Sequence, residues 1–255
     1  MSINALLRLI SIAVLLSVSA FAVDGVVLIN QNTVIAAGGF PYSITQPGSY
    51  KLTGNLVVPV ARNGIVIQAS GVSLDLNGFS ISTAGTGNCD GDATHPTSSC
   101  VGTFSALGIS DDFPGRDGIS IRNGSVTGMF AGVSFIGTGA LVEEVRAFRN
   151  SSSGITIASG IVRRSLADNN GQVGIDATTA DSLVIESVAN ANLQSGIVAL
   201  GSVLQSTASH NGRFGLVTGQ AIWGSNSFVS NLLGPVNAGA GAVSQNNSNC
   251  DGSVC

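Results

Sequence analysis

From residue 132 onward the chain repeats itself about every 20 residues, and each unit carries the same residue types in the same order. Cut before each glycine that precedes an aliphatic residue, the units begin at Gly132, Gly154, Gly174, Gly196 and Gly215, with Gly234 opening a degraded last one. Val133, Ile155, Ile175, Ile197 and Leu216 follow those glycines, and a second apolar run carries Val142, Val162, Val184, Val203 and Trp223. Five residues later come Ala147, Ala167, Ala189, Ala208 and Phe228, and three beyond those stand Asn150, Asn170, Asn192, Asn211 and Asn231. The asparagines are 20, 22, 19 and 20 residues apart, so the repeat tolerates gain or loss of a residue. That excludes a rigid hexapeptide or nonapeptide solenoid and fits coils of short strands joined by adjustable turns. The L-x-x-L-x-L-x-x-N pattern of leucine-rich repeats is missing, and Ser, Thr, Gly and β-branched residues disfavour helix. The pattern predicts an all-β fold: a single right-handed parallel β-helix solenoid with three short strands per coil, capped at both ends.

Coils of such a solenoid stack at about 4.8 Å, so each column of equivalent residues must be uniformly buried or uniformly exposed. The valine and alanine columns are expected to point inward. Asn150, Asn170, Asn192, Asn211 and Asn231 are expected to form a carboxamide ladder at one corner, because asparagine tolerates left-handed backbone and can bond its own kind one coil away. The recurring glycines are expected to supply positive φ at the next corner. Glu144, Arg164, Glu186 and Gln205 read as one outward column, either a small ion-pair stack or simply solvated residues.

Upstream, residues 63–78 form one further coil and residues 117–124 begin another, with residues 82–117 read as an inserted disulfide loop between them. The expected organisation is therefore residues 1–22 as signal peptide, 23–53 as N-terminal lead-in strands and cap, 54–233 as coils, and 234–255 as C-terminal cap. Residues 1–22 carry Arg8, an apolar run from Leu9 to Val18 and Ala20-Phe21-Ala22, which fits a signal peptidase site. That run is too short for a bilayer core, which takes about 20 apolar residues, so a secreted, periplasmic or cell-surface protein is expected, with no membrane insertion after signal removal. In an oxidising compartment the four cysteines are expected to pair locally, Cys89 with Cys100 and Cys250 with Cys255. The spacing does not resemble a zinc site, and His95 and His210 read as structural or incidental.

Only 9% of residues are charged, the net charge is −4, and Arg163-Arg164 is the longest basic run. Nucleic acid and anionic membrane surfaces are thereby poor partners.

The runs ITQPGSYKLTGNLVV (44–58) and NGIVIQASGVSLDLNGFSI (63–81), the G-I units with A-x-x-N, and the ending NNSNCDGSVC resemble bacterial secreted right-handed parallel β-helix repeat proteins of the pectate-lyase-like superfamily. The resemblance covers most of the chain and implies the fold. It leaves the activity open, since that superfamily holds lyases, hydrolases, epimerases, adhesin-like shells and members of no assigned function. The G-H-G and R-I-K motifs of polygalacturonase-like enzymes are absent, and no column pairs two carboxylates for glycoside hydrolysis. A calcium-assisted lyase would need carboxylates to hold the ion against a uronate and a base to take the α-proton. The candidate cluster is Asp111, Asp112 and Asp117 for calcium with Arg116 and Arg122 for catalysis, joined by Asp90 and Asp92 from the disulfide loop; turn formation and solvation are the competing explanation. Arg146, Arg149, Arg163 and Arg164 are expected to pair with Glu143 and Glu144 rather than to grip an acidic sugar. Two functions follow: a non-catalytic structural or polysaccharide-binding protein, and, as the alternative, a carbohydrate-active lyase on acidic polysaccharide.

Overall fold

The computed structural model describes residues 25–84, 105–219, 221–245 and 247. The proposed signal peptide, both cysteine pairs, Asp90, Asp92 and His95 lie outside the described residues.

Each coil has three strands, as in Ile155–Ile157, Gly160–Arg163 and Leu166–Asp168, followed by Ile175–Ala177, Leu183–Ile185 and Val188–Asn190. Every strand pairs in parallel with its equivalent in the next coil. The result is the right-handed parallel β-helix that the repeat predicts. Its first face is a nine-stranded sheet running from Tyr42–Ile44 to Gly234–Ala238. The second and third faces join into one sixteen-stranded sheet, because Ser120–Thr127 and Ala140–Phe148 run unbroken around the corner between them.

The inward columns are continuous and buried. On the first face Ile65, Ile109, Val133, Ile155, Ile175, Ile197 and Leu216 are in register and buried. Val142, Val162, Val184 and Val203 line the second face, and Ala147, Ala167, Ala189, Ala208 and Phe228 the third. Each buried aliphatic side chain contributes about 2 kcal/mol, and a slip by one residue would turn a whole column to solvent, so the stacking register is strongly specified.

The winding extends beyond the glycine–asparagine pattern at both ends. Val26–Ile29 pairs with Gly48–Leu52, and Tyr42–Ile44 with Ile65–Ile67, so residues read as a lead-in are already coiled. At the other end Leu216 pairs with Val236 and Phe214 with Gly234. Pro235 rather than Gly234 therefore stands in the glycine column, as Pro41 does at the start, and the prolines hid both coils. A proline at Pro235 costs no ladder bond toward a further coil, since none is described beyond it. The six-residue helix Gln31–Ala36 is capped by Asn30, whose side chain accepts from Asn32 and Thr33, and it places Val34 in the core. The segment read as an insertion is also shorter, because Leu107–Asp111 is a strand of the first face, paired with Ile65–Ile67.

The corners correct the expected use of glycine and asparagine. Positive φ falls on Glu144, Arg164, Glu186, Gln205 and Ser225 at one corner and on Arg149, Asn169, Ala191, His210 and Ser230 at another. The ladder asparagines sit one residue after that second set. The repeating glycines have ordinary φ; they are required by space, since a Cβ at Gly154 would lie 2.7 Å from the Asn170 amide nitrogen and 2.8 Å from the Gly174 carbonyl oxygen.

Candidate functional site

Asp111 closes the strand Leu107–Asp111 at a position equivalent to Ile67, which points inward. It is 7% exposed, and its carboxylate accepts three backbone N–H groups, from Ile136, Gly137 and Arg116, each at 2.9 Å. A carboxylate at an aliphatic position is tolerated because those bonds replace its water. It fastens the turn after its own strand to the equivalent turn of the next coil.

Arg116 joins Asp112 to Asp111, whereas Asp117 and Arg122 are engaged elsewhere. Asp112 takes the Arg116 Nε at 2.9 Å and the Gln68 amide at 3.3 Å. Asp117 accepts the Thr138 N–H at 2.9 Å and its hydroxyl at 2.7 Å, and these bonds hold its carboxyl below the usual carboxylate range. Arg122 lies on the second face and reaches Asp75 at 3.3 Å. Among the described residues no three His, Cys, Asp or Glu side chains gather around a point that a metal ion would occupy.

The structure assembles more on the second face than sequence reading found there. Lys51, Asp75, Arg122, Glu143 and Arg163 occupy one outward column in successive coils, alternating in sign. Arg163 bonds Glu143 at 2.9 Å, and beside it Arg164 bonds Glu143, Glu144 at 3.2 Å and Glu186 at 3.9 Å. Arg146 approaches Asp168 at 3.9 Å and stacks over Phe148 at 4.5 Å. Arg163 and Arg164 thus pair with Glu143 and Glu144 as expected, although the buried Arg163 Nε has no hydrogen-bond partner, whereas Arg146 turns to Asp168 and Arg149 forms no ion pair among the described residues. Glu143 and Arg163 directly follow the valine column, which is the signal that would have revealed the ladder.

Two buried ladders hold the corners that present these faces. In the first, the side-chain nitrogens of Asn150, Asn170, Asn192 and Asn211 donate to the next asparagine's Oδ1 at 3.0, 2.9, 3.0 and 2.8 Å. Between the second and third faces, backbone N–H groups of Val145, Ser165, Ser187, Ser206 and Asn226 donate to Ser165, Ser187, Ser206, Asn226 and Asn247 side chains. Sequence reading missed this second ladder, although a serine stands three residues after Val162, Val184 and Val203.

On the first face the outward column runs Ser43, Val66, Ser110, Ser134, Thr156, Asp176, Val198 and Val217. Burial pushes the Asp176 carboxyl above its usual range. A folded-state value above the unfolded one means that the native chain binds the proton more tightly. The penalty for burying Asp176 is fully present above the folded value and disappears as pH falls below the unfolded one. Asp176→Asn should therefore raise the melting temperature at pH 7 and lose that advantage as the solution is acidified, which melting curves across pH will show. An advantage that persists at low pH would contradict this assignment.

The fold and these faces define a parallel β-helix protein with a densely bonded exterior. Comparison with solved structures places it beside two polysaccharide-modifying proteins of the same architecture. It superposes on the periplasmic alginate epimerase AlgG with a TM-score of 0.53 at 15% identity, over 82% of this chain and 62% of that one. It superposes on the A-module of the Azotobacter vinelandii mannuronan C-5 epimerase AlgE4 with a TM-score of 0.54 at 15% identity, over 85% of this chain and 70% of that one. The chain thus spans about three fifths of the length of AlgG. No known protein family and no curated protein matches the sequence.

Proposed function

We propose that this is an exported β-helix protein that binds polysaccharide at the cell surface or outside the cell without cleaving it. The observation that carries this reading is the engagement of the candidate cluster: Asp111 and Asp112 are tied to Arg116 and to neighbouring groups, Asp117 to Thr138, and Arg122 to Asp75. A calcium-assisted elimination needs carboxylates free to share one ion and a base free to approach the sugar. The likeness to alginate epimerases supports an extended acidic polysaccharide as the ligand class, by analogy of fold alone. Phe113, 88% exposed in the turn beside Asp112, adds an aromatic ring free to stack on a sugar. The apolar run of residues 9–18 supports export.

The test is to incubate the protein with alginate, polygalacturonate and a neutral glucan, with and without EDTA. Retarded migration in polymer-containing gels with unchanged polymer is the expected result. Calcium-dependent formation of unsaturated chain ends would overturn it in favour of a lyase.

A further inference from the structure

The outward surface of the second face changes character along the helix axis. One column reads Val26, Ser49, Ser73, Ser120, then Leu141, Ile161 and Leu183 in Cα register. The neighbouring column carries Lys51, Asp75 and Arg122 beside the serines. Three short side chains in succession, flanked by long ones, leave a recess. A cavity of about 220 Å³ opens there, lined by Val26, Ser49, Lys51, Ser73, Asp75 and Arg122 together with Tyr50. Where the serine column turns to leucine and isoleucine, the same surface is filled.

The charges in the recess are unequally committed. The Asp75 carboxylate is held by the Asn77 N–H at 2.8 Å, by Arg122 at 3.3 Å and by the Asn123 amide at 3.4 Å. Arg122 meets it through one terminal nitrogen and is 55% exposed, which leaves donors facing out. Lys51, the chain's single lysine, forms no ion pair among the described residues, although its backbone partner is Asp75. Two cations thus share one anion, which leaves the recess with one net positive charge in a chain whose net charge is −4.

We propose that this recess is a subsite for one uronate residue of an acidic polysaccharide, with the sugar carboxylate between Lys51 and Arg122 and its hydroxyls on Ser49, Ser73 and Asp75. The guanidinium and ammonium supply charge-assisted donors for the carboxylate, and the serines supply hydroxyls that both donate and accept. This assignment rests on the polysaccharide-binding reading and names where and through which group the polymer is held.

The experiment measures affinity of the full chain for an oligouronate and for a neutral glucan of equal length, by calorimetry and gel retardation, in wild type, Lys51→Met and Ser73→Leu. Lys51→Met removes the ammonium; Ser73→Leu extends the leucine column into the recess. Loss of the charge-assisted bond in Lys51→Met corresponds to about tenfold weaker oligouronate binding, and filling of the recess in Ser73→Leu should weaken it by about as much. Melting temperatures should match wild type, because both side chains face outward. Wild-type oligouronate affinity in both variants would overturn the subsite while leaving the polysaccharide reading intact. Equal loss of glucan binding would overturn the role of the carboxylate. A wild-type protein that binds neither polymer would overturn both the subsite and the reading beneath it.

Discussion

Replacing Asn170 with alanine should destabilise the protein by roughly 3 to 5 kcal/mol, among the largest effects of any single side-chain truncation here. Asn170 is fully buried and makes four bonds: its Oδ1 accepts the backbone N–H and the side-chain amide of Asn150, and its Nδ2 donates to the Ala147 carbonyl and the Asn192 Oδ1. Alanine removes all four, including the acceptor of the Asn150 N–H, at a fully buried site. Because the ladder is a chain of like units, the loss sits in the middle of a buried polar network. For a chain of this size the melting temperature should fall by about 10 °C. Asn190 provides the contrast, since it is only partly buried and bonds Asp168 and Ser209 on the outer surface. Asn190→Ala should cost no more than about 1 kcal/mol. If the two variants melt together, the buried ladder is not what holds this corner.

The same contrast separates what was legible in the sequence from what was not. Columns that repeat in identity, such as the valines and the asparagines, are visible because every coil imposes the same volume and the same bond at that position. The charged column Lys51, Asp75, Arg122, Glu143 and Arg163 was not, because three of its five members lie upstream of the regular repeat, where no pattern aligns one coil with the next. Asp111 was misplaced for a related reason. The preceding Gly108-Ile109 carries the coil signature, but a carboxylate where the pattern demands an aliphatic side chain reads as a loop until its three backbone donors are seen. Prolines at 41 and 235 masked the terminal coils in the same way. The recess beside Lys51 follows from three serines spread over 72 residues from Ser49 to Ser120, which only the winding brings into line.

The glycine column offers the sharper test of why this sequence needs its composition. If the recurring glycines served left-handed corners, alanine would add backbone strain alone; the geometry assigns them a different duty. At Gly174 the backbone is in an ordinary region, and an added Cβ would lie 2.5 Å from the Asn192 Nδ2, 2.7 Å from the Gly196 oxygen and 3.0 Å from the Ala189 Cβ. The first is a rung of the ladder, the second is backbone of the next coil, and the third is core, so no flexible side chain can yield. Gly174→Ala should cost about 3 kcal/mol, at the upper end of overpacking, and lower the melting temperature by several degrees. The damage should spread to the adjacent ladder rungs, seen as faster amide exchange at Asn170 and Asn192. Gly54, whose added Cβ would meet nothing nearer than the Asn30 Cβ at 3.8 Å, is the control. Gly54→Ala should be neutral or stabilising by about 0.5 kcal/mol through the lost freedom of the unfolded chain. A Gly174→Ala protein as stable as the Gly54→Ala one would mean that the coils can move apart by the width of a methyl group. The close approach of glycine, alanine and asparagine at this corner would then be incidental rather than the reason the repeat is written as it is.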